Sequence, residues 1–575
     1  MPWTTTNTAK GDNKLYSDAK GVVPSLDLRF ASQKNLNDYM TATPLVDHQR
    51  SMSGSNLSPG TFVNSSGLIE TAKVNLVSYS QEFENSYYTK ANITTMQATT
   101  DVAAPDGTFT ARYISGASNG RFTISSSNFT SQSGRRKSIY LRAVSGSPVV
   151  NALTQAATDP NPVTLSSTEW LRFEIDTPSS EVGGTTFVLD FRGSSTTTEV
   201  YAWGLQIEEG SAATTYIPTT NLPSAAPRFD HNPTTGESLG LLVEESRTNR
   251  ILLSIPPATS STGWSVVNAT GTANAISAPD GTLSGTEYSI TNSDPSTKRI
   301  FSWPIQNQPI INRTVSVFAK AGTANELYMT GINAAGTIVI NLNTGVVTTN
   351  TSGNTVTTEE YLNGWWRIVL TQNSGNALLY TALPSGQSGT FYLWGGQVEE
   401  GSFATSYIPT TGTALTRSAD DASITGSNFS SWFVQNNGSF YCKADLQSPA
   451  SSGQSPIFSV DSSGANYRVA SRRATLGVRN SSSGTDGIDI TNFSVWNGEV
   501  KEFALTWVAN DCALVDSGTL IGTDTTTLNP LSTVNQLLIG NVNVGGFLSR
   551  MGGHISRLTY FPDRLENSVL QAITQ

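Results

Sequence analysis

The residues best suited to chemistry in this 575-residue chain are few and poorly spaced for it. Glycoside hydrolysis needs two carboxylates flanking the scissile bond. The nearest approach is Glu174-Ile-Asp176 with Glu181, and that spacing is too long to set all three on one strand face. They read as exposed strand positions running into a turn. Serine chemistry needs a Gly-x-Ser-x-Gly elbow or a histidine that completes a triad, and the sequence offers neither. His48, His231 and His554 lack metal-ligand spacing, while the glycines at 322, 331 and 336 lack the lysine and spacing of a phosphate loop. Two cysteines, Cys442 and Cys512, cannot make a structural zinc site alone. Each lies in a strand-like run, so buried free thiols and a bond between neighbouring strands both stay open. The expectation is a non-enzymatic protein.

The elements that carry these residues are strands. Charged residues make up only 14% of the chain, and Ser, Thr, Asn and Gly fill its polar positions. Thr and aromatics favour strands, Gly, Asn, Pro and Ser punctuate turns, and helix formers never cluster for long at helical spacing. The fold class is therefore all-β, and at roughly 100–200 residues per domain the length implies several domains. A hydrophobic fraction of 37% suffices for several sandwich cores. Net charge is −10, without the basic footprint of a nucleic-acid binder. The one basic run, Arg135-Arg136-Lys137, reads as a solvated hairpin flank, with an anion contact as the sharper alternative. No segment has the apolar length to cross a membrane. The start, MPWTTTNTAKGDNK, lacks the apolar core of a signal peptide, so synthesis in a cytoplasm and release in an assembled particle are expected.

The strongest signal is an internal repeat. Residues 203–220, WGLQIEEGSAATTYIPTT, return at 394–411 as WGGQVEEGSFATSYIPTT, with 14 of 18 positions identical. Upstream landmarks keep their order: APDGT at 104–108 and 278–282, SIYLRA at 138–143 against SVFAKA at 316–321, WLRF at 170–173 against WWRI at 365–368. A fixed order over such a span means a duplicated domain rather than a short solenoid repeat. Alternation in the Trp-bearing strands suits a sheet, Gly204 and Gly395 suggest a bulge or close backbone approach, and Tyr-Ile-Pro leaves the sheet. Identity in both copies gives Trp203 and Trp394 a shared core role.

These residues carry a resemblance. An opening of the type Asn75-Leu-Val-Ser-Tyr-Ser-Gln-Glu-Phe83, then the APDGT turn and the WG-to-YIPTT closing, resembles the carbohydrate-binding-module-like jelly rolls of bacteriophage tail-fibre and other virion proteins. The second opening, Asn249-Arg-Ile-Leu-Leu-Ser254, is looser. Residues 26–30 (LDLRF) and 61–72, together with 227–249, resemble the N-terminal signature of phage tail proteins, here split by the first jelly roll. The segments near 60–75 and 226–249 are therefore expected to meet in space. The ending from His554 to Thr574 is similar to the last strand and short helix of concanavalin-like, laminin-G-like sandwiches.

The organisation expected from this is an N-terminal virion-attachment segment at 1–74, a first jelly-roll module at 75–222, and a linker or hairpin at 223–249. A second jelly-roll module at 250–411 and a concanavalin/laminin-G-like sandwich at 412–575 complete it. The resemblance implies a virion protein of tail-fibre or adhesin type, assembled in host cytoplasm. It implies binding to host-surface glycans, contact with other virion proteins through an N-terminal segment that orders on its partner, and a homotrimer. No cofactor is expected; a structural calcium ion is compatible with such sandwiches, although no ligand loop is legible. A head-fibre, decoration or baseplate spacer is the alternative, and a glycan depolymerase a third. Sugars are held on sandwiches by exposed aromatic rings. Tyr88 and Trp264 follow the two openings, and Trp365 and Trp366, being adjacent in a strand, must face opposite ways. These four are the candidate glycan contacts. Outward-facing aromatics clustered on one module would favour an adhesin; featureless polar faces would favour a spacer.

Overall fold

The computed structural model describes residues 22–52, 57–124, 134–154, 161–177, 186–435, 437–446, 456–461, 467–472, 475–480, 489–490, 499–525, 534–544 and 547–575. It is an all-β, multidomain protein of β-sandwiches. The chain divides into two compact units, one of residues 49–55 and 72–226, the other of residues 1–48, 56–71 and 227–575.

The first of these is the first jelly-roll module. Its strands run in the order Pro162–Thr164, Val149–Thr154, Thr186–Asp190, Arg112–Ile124, Glu199–Glu209, Arg135–Ala143, Leu171–Asp176, with Tyr88–Ala98 also on Arg112–Ile124. The long Arg112–Ile124 strand serves both layers: residues 112–115 pair with Glu199–Glu209 and 121–124 with Thr186–Asp190. Alternate residues such as Ile139, Leu141, Val188 and Leu205 meet in the core. Val74–Asn75 pairs with Ser224–Ala225, closing the module where the chain enters and leaves.

The second unit holds two sandwiches. The second jelly roll packs two six-stranded sheets around one core. One sheet runs Ser265–Val267, Arg299–Ile305, Ala377–Ala382, Glu326–Thr330, Thr337–Asn341, Val347–Asn350. The other runs Thr270–Ser277, Leu283–Ile290, Gly389–Glu400, Ile311–Ala321, Trp365–Ser374, Thr355–Tyr361.

The other sandwich is assembled from distant stretches. Its larger sheet runs Phe229–His231, Ser238–Val243, Gly553–Phe561, Gly438–Leu446, Val500–Val508, Asp511–Asp516, Thr519–Asp524, and Leu26–Leu28 pairs with Gly553–Phe561. Its core joins Leu26, Leu28 and Phe30 to Leu241, Val243 and the aromatics Phe440, Trp507 and Tyr560. The closing helix Asn567–Ile573 buries Val569, Leu570 and Ile573 beside Tyr441 and Phe561. Residues 22–48 thus differ from the expectation of a segment that orders only on a partner. Apolar Leu26, Leu28 and Phe30 are fully buried in this sandwich, with Leu45 and Val46 beside them. Residues 1–21 of the expected attachment segment lie outside the described residues.

The split signature does come together. Val63 donates its backbone N–H to Asp230 Oδ1 at 2.5 Å, Arg228 donates to the Thr61 carbonyl at 3.0 Å, and the His231 ring meets the Val63 carbonyl at 3.0 Å. Both cysteines are buried and no disulfide joins them. The basic run departs from a solvated flank. Lys137 is fully buried and donates to Thr186 Oγ1, while Arg136 pairs with Glu174 and Asp176. Those two are the carboxylates nearest to a hydrolytic pair, and Glu181 lies outside the described residues.

Candidate functional site

The repeated residues build the same clamp twice. Asn75 Nδ2 donates to the Leu205 and Ile217 carbonyls at 3.0 and 2.9 Å; Asn249 Nδ2 donates to those of Gly396 and Ile408 at 3.1 and 2.9 Å. Gln206 and Gln397 each accept the backbone N–H of the Ile in Tyr-Ile-Pro at 2.7 Å. Ser80 meets Tyr216, and Ser254 meets Tyr407, both at 2.5 Å. The looser second opening therefore keeps the two residues that matter, Asn249 and Ser254. Trp203 and Trp394 lie beneath those tyrosines at centroid distances of 4.4 and 4.6 Å, almost wholly buried. Gly204 and Gly395 sit at φ +63° and +62°, each beside a break in strand register. A Cβ on Gly395 would fall 2.7 Å from Phe318, which explains the glycine. This clamp is scaffold.

Three of the four expected sugar contacts belong to the interior, and the expectation is corrected there. Tyr88 is 2% exposed, edge-on to Phe83 and donating to the Tyr79 carbonyl. Trp264 is 4% exposed and donates to the Leu253 carbonyl. Trp365 is 1% exposed, donates to the Ser277 carbonyl, and packs with Phe318, Trp394 and Tyr407. Trp365 and Trp366 do face opposite ways, but Trp366 turns onto the module core, half-buried under Gly345. Large rings placed after an opening fill a sandwich better than they stay wet, because burying them returns a few kcal/mol each.

A polar cavity of about 50 Å³ lies in the second unit, bordered by Asp230, Glu359, Tyr361, Arg367 and His554. His554 is held between two carboxylates, Nε2 2.9 Å from Asp230 and Nδ1 2.9 Å from Asp445. Burial opposes its charge, yet the two carboxylates outweigh it and raise its pKa well above the usual imidazole value. Burial also raises Glu359 despite Arg367 nearby. Beside the cavity, Arg228 binds Glu244 at 2.7 Å and Asp420 at 2.6 Å, and Arg417 binds Glu244 at 2.9 Å. The space admits a few waters and no sugar ring. His554 is spent on Asp230 and Asp445, and Arg367 on the Thr405 carbonyl, so the cavity reads as a structural joint. Among the described residues no group of three His, Cys, Asp or Glu could hold a metal ion.

The site that can meet a ligand is the outer face of the first sheet of the second module. Along Arg299–Ile305 the burial alternates: Ile300 and Ser302 point inward, while Arg299, Phe301 and Trp303 point outward. Trp303 is 37% exposed, the most open tryptophan among the described residues. Phe301 stands in register with Tyr380 on the adjacent strand, their rings 6.0 Å apart and inclined by only 22°. Tyr328, two strands from Phe301, sits 6.4 Å from Tyr380 at 66°. The Tyr380 hydroxyl donates to the Pro295 carbonyl, which fixes the ring, and burial pushes its pKa up. None of these four rings packs against the module core. Two near-parallel rings, a third standing across them and an open tryptophan form a platform for the apolar face of a pyranose. Sequence reasoning missed it because the rings come from three separate strands; the Arg-x-Phe-x-Trp alternation at 299–303 was the available signal.

No family profile matches the chain, and no curated protein matches it. Solved structures with partial likeness include the CBM40 of Ruminococcus gnavus IT-sialidase bound to α2,3-sialyllactose, at 17% identity and TM-score 0.22, covering 25% of this chain and 84% of that one. The CBM22-1–CBM22-2 tandem of Paenibacillus barcinonensis Xyn10C covers 58% of this chain and 99% of that one, at 12% identity and TM-score 0.20. Mouse laminin α1 domains LG4-5 cover 55% and 95%, at 10% identity and TM-score 0.18. These neighbours are carbohydrate-binding modules and laminin-G domains.

Proposed function

We propose that the chain is a non-enzymatic structural protein of a bacteriophage particle, of tail-fibre type, that attaches to host-surface glycans through the aromatic face of its second module. The observation that carries the binding role is the cluster Phe301, Trp303, Tyr328 and Tyr380, one exposed and three half-buried rings on one outer sheet face outside the core. An open tryptophan beside half-buried rings on one outer face favours a surface built to be covered. The phage context rests on the split N-terminal signature and the jelly-roll motifs. In this reading the first module and the composite sandwich are scaffold, other virion proteins hold the N-terminal end, and the fibre is a homotrimer.

The test is a glycan-array and host-cell binding assay on the full chain beside Trp303→Ala and Phe301→Ala. Saturable binding by the parent, weakened at least tenfold in both variants with folding intact, is expected; each ring–sugar stack is worth roughly 1.5 kcal/mol. Parent protein that binds no glycan and no host surface would leave a particle spacer instead.

A further inference from the structure

The same face carries a cation, and we infer that the site selects acidic glycans, sugar rings bearing a carboxylate, over neutral ones. The inference rests on the glycan-binding reading above and names its ligand class. Arg299 begins the strand that presents Phe301 and Trp303, on the same outward side. Its guanidinium carbon lies 5.4 Å from the centroid of Phe301 and 5.8 Å from that of Tyr380, at the seam between the two rings. No carboxylate of the described residues forms an ion pair with it. Asp294 accepts from the Ser296 backbone N–H and hydroxyl, Glu326 accepts from Gln387 at 2.6 Å, and neither forms an ion pair with Arg299. Lys298 is turned away, donating to the carbonyls of Thr291 and Asn292.

Several arginines elsewhere in the chain are paired with acids. Arg228, Arg417, Arg112, Arg136 and Arg192 all sit on carboxylates. Arg299 instead lies on two half-buried rings and donates towards the Tyr380 hydroxyl, with no carboxylate of the described residues on its remaining donors. A pyranose lying on those rings, with its carboxylate at the ring edge, would gain paired charge-assisted hydrogen bonds. A neutral sugar on the same rings gains only stacking.

The test uses the full chain on an array of hexuronate-containing, sialylated and neutral oligosaccharides, together with carboxyl-reduced copies of the acidic ones. Binding is expected to favour the acidic members by roughly tenfold or more, a charge-assisted hydrogen bond being worth about 1.5–3 kcal/mol. The preference should vanish on carboxyl reduction, fall as salt is raised, and collapse towards parity in Arg299→Gln but persist in Arg299→Lys. Equal binding of acidic and neutral partners by the parent would overturn the inference while leaving the glycan reading intact. Absence of binding to every member would bring down the glycan reading itself, and the inference with it.

Discussion

The two jelly-roll modules share a clamp and differ in what surrounds it. In the first, Trp170 donates to the Ala103 carbonyl and remains half-exposed; in the second, its counterpart Trp365 donates to the Ser277 carbonyl and is buried by Val63 and Ile69. On the other layer the contrast reverses. The first module's strand Thr186–Asp190 occupies the place of Ala377–Ala382, between the strands equivalent to Glu326–Thr330 and Arg299–Ile305. It offers one half-buried ring, Phe187, beneath Arg192, whose charge is held by Asp190 at 2.6 Å. The second module has four rings and an arginine without a carboxylate partner among the described residues at that place. Residues that repeat are therefore scaffold, and residues that diverge mark what each copy does.

The largest test of this contrast is the buried network of Arg228, Arg417, Glu244 and Asp420 in the second module's unit. Removing one member of a buried pair leaves an uncompensated charge and costs about 3–5 kcal/mol. Arg228→Met, which strands Glu244 and Asp420, should lower the unfolding free energy of that unit by this amount, read from its urea transition. The transition of the unit containing residues 72–226 should not move. If both shifted together, the two units would be one cooperative block.

Acid should separate them next. Burial works to raise the Glu244 pKa, but Arg417, Arg228 and hydrogen bonds from Ser406 outweigh it and hold it down to about 2, below the ordinary 4.5. A carboxylate lowered in the folded state adds stability that is complete above pH 4.5 and disappears as pH falls towards 2, here roughly 3 kcal/mol. In the first module the lowered carboxylate is Glu84, where burial is outweighed by its bond to Arg112, and its side chain is 46% exposed. Exposed pairs contribute little. Melting across pH 5 to 2.5 should destabilise the second unit well before the first, and parallel loss would assign the effect to general charge repulsion.

The shared clamp makes a smaller and symmetric prediction. Asn75→Ala and Asn249→Ala each strand two buried carbonyls, at about 1–3 kcal/mol per unsatisfied group offset by relaxation. Each should cost about 2 kcal/mol, in its own unit. Hydrogen exchange of the two YIPTT segments would report which one opens, and unequal losses would show that the copies have stopped sharing a scaffold role.

How far the sequence could be read follows the same division. The strand class, the duplication, the core tryptophans Trp203 and Trp394, the bulges at Gly204 and Gly395 and the meeting of residues 61–63 with 228–231 were legible. All of these rest on local pattern or on identity between copies. The place of Leu26–Leu28 in the last sandwich was not, because a three-residue strand carries no sign of a partner more than five hundred residues away. Nor was the burial of His554 between Asp230 and Asp445, contacts that span 324 and 109 residues. The platform needs Phe301, Tyr328 and Tyr380 to be neighbours across strands, which only register supplies. Tyr88, Trp264 and Trp365 looked like ligand contacts because ring chemistry alone does not tell a core ring from a surface one.

The smallest effect on stability is the most telling for function. Trp303 is 37% exposed and packs against no core, so Trp303→Ala should change the melting free energy by no more than about 1 kcal/mol. Phe187→Ala in the first module should do the same. If divergence between the copies is where binding lives, the first substitution removes glycan binding and the second leaves it untouched, measured on one array with both proteins fully folded. Loss of binding in Phe187→Ala alone would move the adhesive face to the first module, and equal loss in both would mean that the copies still share it.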